Sequence, residues 1–243
     1  RLMVQPNLNL LYDVPALGMY YSSLIPRWLH DELPWSLYNV RYFLTHFGIP
    51  EAQVEADFPG ATLLATYRGA TVFGTADPFD IQIYANPGAY PRAFLVPRAV
   101  VQPGDVARAI QSPGFDPRAT VLIDREPVNG FLGSTDQSLE ATLRFVEYGS
   151  QRVRLQVSAS RACWLFLSDT YYPDWMAAVD GAAVTLYRAN HAGRAVQVPP
   201  GTHDVSFEYE PTYFKAGLGV ALLGLLALCF WTGASARRSL AAA

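Results

Sequence analysis

The chain has 243 residues, 51% of them hydrophobic and 16% charged, and a formal net charge of −3. That length holds one large domain or two of ordinary size, and the apolar fraction excludes intrinsic disorder. Before Lys215 the chain carries 15 arginines against 21 acids, a balance of −6, which argues against nucleic acid or an anionic membrane surface as a partner.

The chain opens on Arg1, with RLMVQPNLNL in place of a basic segment followed by an apolar run. It reads as a fragment with no signal peptide to remove. Ser36–His46, SLYNVRYFLTH, is strand-like. ATLLATYRGATVFGT predicts a hairpin about Arg68–Gly69, and DIQIYANPGAYPRAFLV predicts two extended pieces about a Pro/Gly turn. In GDVARAIQS, Val106, Ala109 and Ile110 have the spacing of a short amphipathic helix, and TVLID (Thr120–Asp124) follows as an extended segment. Together these predict a small α/β domain over 1–130. Val128–Glu140 is polar, rich in small residues and without a clean period, so it reads as a linker.

From Leu143 onward the pattern is that of short strands. In Arg152–Ala159 the residues Val153, Leu155, Val157 and Ala159 alternate with Arg152, Arg154, Gln156 and Ser158, so one face meets a core and the other meets water. CWLFLSD is more continuously apolar. WMAAVD and AAVTLYRA flank Asp180–Gly181, a strong hairpin signal, and AGRAVQV and HDVSFEYE complete the series around PPGTH. About seven strands with regular turns predict an antiparallel β-sandwich over 131–211. The fold class expected for the whole is α+β, mainly β.

Ala216–Ala234, AGLGVALLGLLALCFWTGA, is 19 uncharged, almost wholly apolar residues. As a helix it is about 28 Å long, close to the hydrocarbon thickness of a bilayer. Trp231 near its far end and Arg237 and Arg238 after it predict a membrane anchor within 212–243 whose short tail is cytoplasmic, leaving residues 1–214 extracytoplasmic. Gly217 and Ala221 form a small-xxx-small pair, a weak signal for packing against another helix.

Cys163 lies in an apparent strand and Cys229 in the apolar segment, so the two read as separate buried thiols, not a disulfide. His30, His46, His191 and His203 lack metal-ligand spacing, and His203 reads as a turn residue leading into the last strand. No P-loop, dinucleotide fingerprint or G-x-S-x-G occurs. No catalytic residue and no metal site is therefore assigned.

One stretch concentrates chemistry. Leu167–Gly181, LSDTYYPDWMAAVDG, places Tyr171, Tyr172 and Trp175 among Asp169, Asp174 and Asp180. The structural reading has the aromatics capping an open end of the sandwich while Asp169 and Asp174 accept turn N–H bonds. The functional reading has rings stacking on a sugar's C–H face beside carboxylates that accept its hydroxyls. The candidate substrate-binding residues are Tyr171, Tyr172, Asp174 and Trp175. A pair of glycosidase carboxylates is the remaining alternative, because proximity in sequence does not set the separation such chemistry needs.

PNLNLLYDVPALGMYYSSLIPRW, LYNVRYFLTH, YPRAFLVPRAV, LSDTYYPDWMAAVDG, LYRAN and RAVQVPPGTHDVSFEYEP, with the final apolar segment, resemble in order and spacing the C-terminal part of the YfhO family of bacterial membrane proteins. The resemblance implies a polytopic membrane glycosyltransferase with a GT-C-like fold as the parent protein and a lipid-linked sugar as its donor. In such enzymes the acidic base and donor site belong to a helical bundle that this sequence does not contain. The resemblance thus implies a noncatalytic extracytoplasmic region, needing no cofactor of its own, whose partners are the membrane, the N-terminal transmembrane bundle of the same protein and a cell-envelope glycan. The alternative expectation is a membrane-anchored carbohydrate-binding or envelope-assembly module without transferase activity.

Overall fold

The computed structural model describes residues 36–46, 52, 59–70, 79–211, 214 and 217–226. Three sheets carry the described fold. The first is a three-stranded antiparallel sheet of β1 (Tyr42–His46), β2 (Thr62–Ala70) and β3 (Phe79–Ala85), in the order β1-β3-β2. The hairpin expected at Arg68–Gly69 is not formed, because β2 runs straight through both residues. The chain absorbs the glycine as an irregularity, with the register against β3 shifting between Tyr67 and Ala70.

The other two sheets form the sandwich. Six strands make a mixed sheet: β4 (Ala93–Val96), β5 (Arg98–Val101), β6 (Thr120–Ile123), β9 (Cys163–Leu167), β12 (Tyr187–Ala189) and β13 (Gly193–Val198), in the order β4-β9-β13-β12-β6-β5. Five make an antiparallel sheet: β7 (Ala141–Tyr148), β8 (Arg152–Ala159), β10 (Trp175–Val179), β11 (Ala182–Val184) and β14 (Gly201–Tyr209), in the order β11-β10-β14-β8-β7.

The alternation read in β8 is realised: Val153, Leu155, Val157 and Ala159 are buried and meet Leu165, Val196, Val205 and Phe207 between the sheets. All five residues of β9 are buried because its sheet is covered twice. Cys163, Leu165 and Leu167 face the sandwich core, whereas Trp164 and Phe166 enter a second core with Val96, Val121, Tyr187, Leu37 and Tyr38. Burial alone pushes the Cys163 thiol up to about 11, in keeping with an inert core residue.

Helix α1 (Val106–Ile110) helps to cover that second core with Ile110, Val106 and Ala109, and the Asp105 carboxylate accepts the Arg108 N–H as its N-cap. It connects β5 to β6, which pair in parallel, a βαβ crossover within an otherwise antiparallel fold. The division expected at 130/131 cuts the six-stranded sheet, since β4, β5 and β6 precede it and β9, β12 and β13 follow it. The 128–140 segment is tied to the sandwich as well. Asn129 and Gln197 exchange side-chain hydrogen bonds of 2.8 and 3.0 Å, the Ala99 N–H donates to Leu132 O at 2.7 Å, and the Arg161 guanidinium binds the carbonyls of Ser134, Gln137 and Ser138.

Gly133 in that segment has φ +77°, and a Cβ there would lie 2.1 Å from the Pro97 carbonyl oxygen. Backbone cannot yield as a side-chain tip can, so Gly133→Ala should destabilise by about 2 kcal/mol from strain and clash together. Thermal unfolding of the variant measures it.

Asp180–Gly181 forms the expected tight hairpin, both residues having positive φ (51° and 80°) as a type I′ turn requires. The strand expected from AAVTLYRA is instead divided. β11 stays in the five-stranded sheet, and after Thr185 and Leu186 the chain crosses to β12 in the other. His203 lies within β14, not before it. Its Nδ1 meets Asp180 Oδ2 at 2.6 Å and its Nε2 meets Pro200 O at 3.1 Å, so both ring nitrogens face acceptors and the imidazolium fits best.

Asp180 raises the His203 pKa by accepting from it, and His203 in turn holds Asp180 below the usual carboxylate range. The raised His203 pKa contributes stability that is complete below the ordinary imidazole value of about 6.5 and fades as pH climbs through the folded-state pKa. The lowered Asp180 pKa contributes stability present above about 3.9 and lost as pH falls through its folded-state value. His203→Gln should therefore lower stability between these two values and shrink the losses beyond them on the acid and alkaline sides. Urea midpoints from below the lower value to above the upper one, compared with the parent chain, test the sign.

Residues 217–226 are helical, and every one is exposed. Among the described residues no helix is long and apolar enough to cross a membrane. Residues 216 and 227–234 of the expected span lie outside the described residues.

Candidate functional site

At the end of β9 the chain leaves the sheet and builds a corner from residues of both sheets. The Ser168 N–H donates to Arg92 O at 2.8 Å, which brings Arg92, just before β4, beside Asp169. The Arg92 Nη1 lies 2.9 Å from both Asp169 Oδ1 and the Tyr148 hydroxyl oxygen, and the Tyr148 hydroxyl donates to the same carboxylate oxygen at 3.0 Å. The Arg92 guanidinium also sits 5.1 Å from the centroid of the Tyr148 ring. Burial, reinforced by the Asp169 charge, pushes the Tyr148 hydroxyl up to about 12, so it stays a hydrogen-bond donor at neutral pH.

A second guanidinium lies deeper. Arg194, near the start of β13, is only 4% exposed. Its Nε donates to Thr170 O at 3.1 Å, its charged carbon stands 3.7 Å from the centroid of the Trp175 ring, and its Nη1 has no hydrogen-bond partner. Burial lowers its pKa to about 10 and the Asp169 charge opposes that fall, so Arg194 remains cationic at neutral pH. Asp169 thus serves two arginines.

The candidate residues follow directly. The Tyr171 N–H donates to Ala192 O at 2.6 Å, and its ring packs against the sandwich core. Tyr172 is 58% exposed and its carbonyl accepts from the Trp175 N–H at 3.4 Å. Asp174 takes the left-handed conformation at φ +73°, and its carbonyl oxygen accepts the Glu210 N–H at 2.9 Å. Trp175 packs on the core and pairs with Tyr209 across β10 and β14, the ring centroids 5.5 Å apart; Tyr172 stands 6.3 Å from Tyr209 on another side.

The corner therefore divides its aromatics by face. Tyr171 and Trp175 act toward the core and the buried arginine, while Tyr172 presents its ring outward. The expectation that Asp169 and Asp174 accept turn N–H bonds is corrected: Asp169 is taken up by side chains arriving from β4 and β7, and at Asp174 the carbonyl makes the turn contact. Arg92, Tyr148, Arg194 and Tyr209 were not foreseen. The one signal in sequence was Arg194 inside the apolar run AGRAVQV.

A separate cleft of about 440 Å³ opens where β5 and β6 end and α1 begins, with Gln102, Asp105, Asp124, Arg188 and His191 among its polar lining. Among the described residues no group of histidine, cysteine and acidic side chains is placed to hold a metal ion.

Residues 120–221 match the family described as "Bacterial membrane protein YfhO". The match begins at the first residue of β6, takes in the whole five-stranded sheet and every residue of the corner except Arg92, and ends inside the helical residues 217–226, so the matched stretch runs from the sandwich into the apolar helix. No curated protein and no solved structure matches the chain.

Proposed function

We propose that this YfhO-family region is the noncatalytic extracytoplasmic part of a membrane glycosyltransferase, held to the bilayer by the apolar segment Ala216–Ala234 and assisting a lipid-linked sugar or its acceptor glycan. The observation that carries the membrane assignment is the helix at 217–226. It has no charged residue, and it leaves Leu218, Val220, Leu222, Leu223, Leu225 and Leu226 each more than half exposed. A helix apolar on every side has no stable place in water, and a bilayer or a bundle of other membrane helices covers it.

The corner supports the sugar-handling part of the reading. Tyr172 offers an open ring for a sugar's C–H face, and the carboxylate of Asp174, two residues on, can accept hydroxyl hydrogen bonds. Trp175 and Tyr171 hold that surface in place from behind. Chemistry itself is assigned to the transmembrane bundle of the parent protein, which supplies the acidic base.

The test uses the whole chain in lipid nanodiscs with a polyprenyl-phosphate hexose in the same bilayer. Saturable binding that Tyr172→Ala and Asp174→Asn weaken by roughly tenfold is expected, corresponding to about 1.4 kcal/mol. No sugar should be transferred to added envelope glycan. Binding unaffected by both substitutions would remove the corner from the site, and turnover dependent on the chain's own acids would contradict the noncatalytic assignment.

A further inference from the structure

The sandwich has two unlike ends. At one end lie the close of β14 at Tyr209, the opening of β10 at Trp175, the close of β7 at Tyr148 and the Tyr171–Asp174 turn. Register fixes them there together, because Trp175 pairs with Tyr209, Glu208 with Arg152 and Tyr148 with Val153. Tyr148, Tyr172 and Met176 at this end are 44%, 58% and 55% exposed. The opposite end is formed by the turns Ser160–Arg161, Asp180–Gly181 and Pro199–Pro200, and none of these carries an exposed large apolar side chain.

The apolar helix departs from the aromatic end. Phe214, which is helical and 69% exposed, is five residue steps from Tyr209, so the chain between them spans at most about 18 Å. The Glu210 N–H is still bound to Asp174 O, which ties the departing chain to the corner at its first step. Once that helix enters a bilayer, the corner is confined to within a few residues' reach of the lipid surface.

Resting on the membrane assignment of that helix, we propose that this end of the sandwich sits in the headgroup layer of the outer leaflet, with Tyr172, Met176 and Tyr148 as its lipid contacts. Tyrosine suits that layer because its ring is apolar and its hydroxyl finds polar partners. The charges at this end select the kind of lipid. Arg92 is paired with Asp169 at 2.9 Å, Arg152 with Glu208 at 3.1 Å, and Arg194 is buried, so among the described residues of this end no free cationic cluster faces outward. The surface therefore matches a zwitterionic headgroup layer, with attachment insensitive to salt, and offers nothing to recruit anionic lipid. A corner seated there meets the sugar of a lipid carrier at the height where that sugar emerges.

The test is made on the whole chain carrying Cys229→Ala, with buried Cys163 left in place, reconstituted into phosphatidylcholine vesicles. Single cysteines replace Tyr172, Met176 or Pro199 and carry an environment-sensitive fluorophore; the last lies at the far end, about 27 Å away along β14. Headgroup-level nitroxide lipid should quench the fluorophores at 172 and 176 several-fold more than that at 199, and iodide in the aqueous phase should show the reverse order. Protein that floats with the vesicles yet gives equal quenching at all three positions would overturn the seating while leaving the membrane anchor intact. Protein that fails to float would overturn both. Strong dependence on added anionic lipid or on salt would contradict the zwitterionic match.

Discussion

Trp175→Ala is expected to destabilise the sandwich by about 3 kcal/mol, whereas Tyr172→Ala stays within about 0.5 kcal/mol of the parent. Trp175 packs on the sandwich core, contacts Tyr209 and covers the buried Arg194 guanidinium at 3.7 Å. Removing the ring opens a space beside the core and exposes one face of a cation whose surroundings were built around it. The loss falls below the full value for a core tryptophan because this side chain is only partly buried. Tyr172 is more than half exposed, so its removal leaves little packing behind. Thermal unfolding of the two variants side by side measures the contrast. If Trp175→Ala were as stable as the parent and Tyr172→Ala severely unfolded, the assignment of one ring to support and the other to contact would be reversed.

Asp169→Ala is expected to cost about 3 kcal/mol, and Arg194→Met distinctly less. The carboxylate answers both Arg92 and Arg194, and removing it leaves a nearly inaccessible cation without its compensating charge. The Asp169 side chain is 14% exposed and that of Arg92 25%, so water screens part of the loss and the figure sits at the low end for a broken buried pair. Methionine at 194 removes the buried charge together with an Nη1 that has no partner, and it keeps apolar contact with the Trp175 ring. Asp169 then retains its bonds from Arg92 and Tyr148. Urea midpoints for both variants at neutral pH decide the order; a larger loss for Arg194→Met would show that the cation itself holds the corner together.

What could be read from sequence was local. The alternation of Arg152–Ala159 gave β8 and its inward face, and Asp180–Gly181 gave the hairpin, because strand facing and tight-turn geometry depend on neighbours in the chain. The Gly69 hairpin was misread because glycine serves a bulge as readily as a turn, and only the register against β3 distinguishes them. Pairing across distance was not legible either. β5 and β6 lie parallel with a helix of five residues in the connection, and β4 joins β9 across about 70 residues of chain, so a boundary drawn at a polar segment passed through a sheet.

The candidate site divided the same way. Its aromatics and acids stand within one turn and were visible as a cluster. Arg92, Tyr148 and Arg194 come to Asp169 from three other strands or their flanks, and no spacing in sequence encodes that meeting.

The central claim is that one continuous polypeptide runs from an extracytoplasmic sandwich into the membrane through the apolar segment after Tyr209. Labelling of intact cells with a membrane-impermeant thiol reagent tests it most directly, using Cys229→Ala chains that carry either Thr202→Cys at the exposed start of β14 or Ser239→Cys beyond Arg237 and Arg238. The account predicts that position 202 labels in intact cells and position 239 labels only after the membrane is opened. Labelling of 239 alone in intact cells would reverse the orientation, and labelling of both would contradict a membrane span between them.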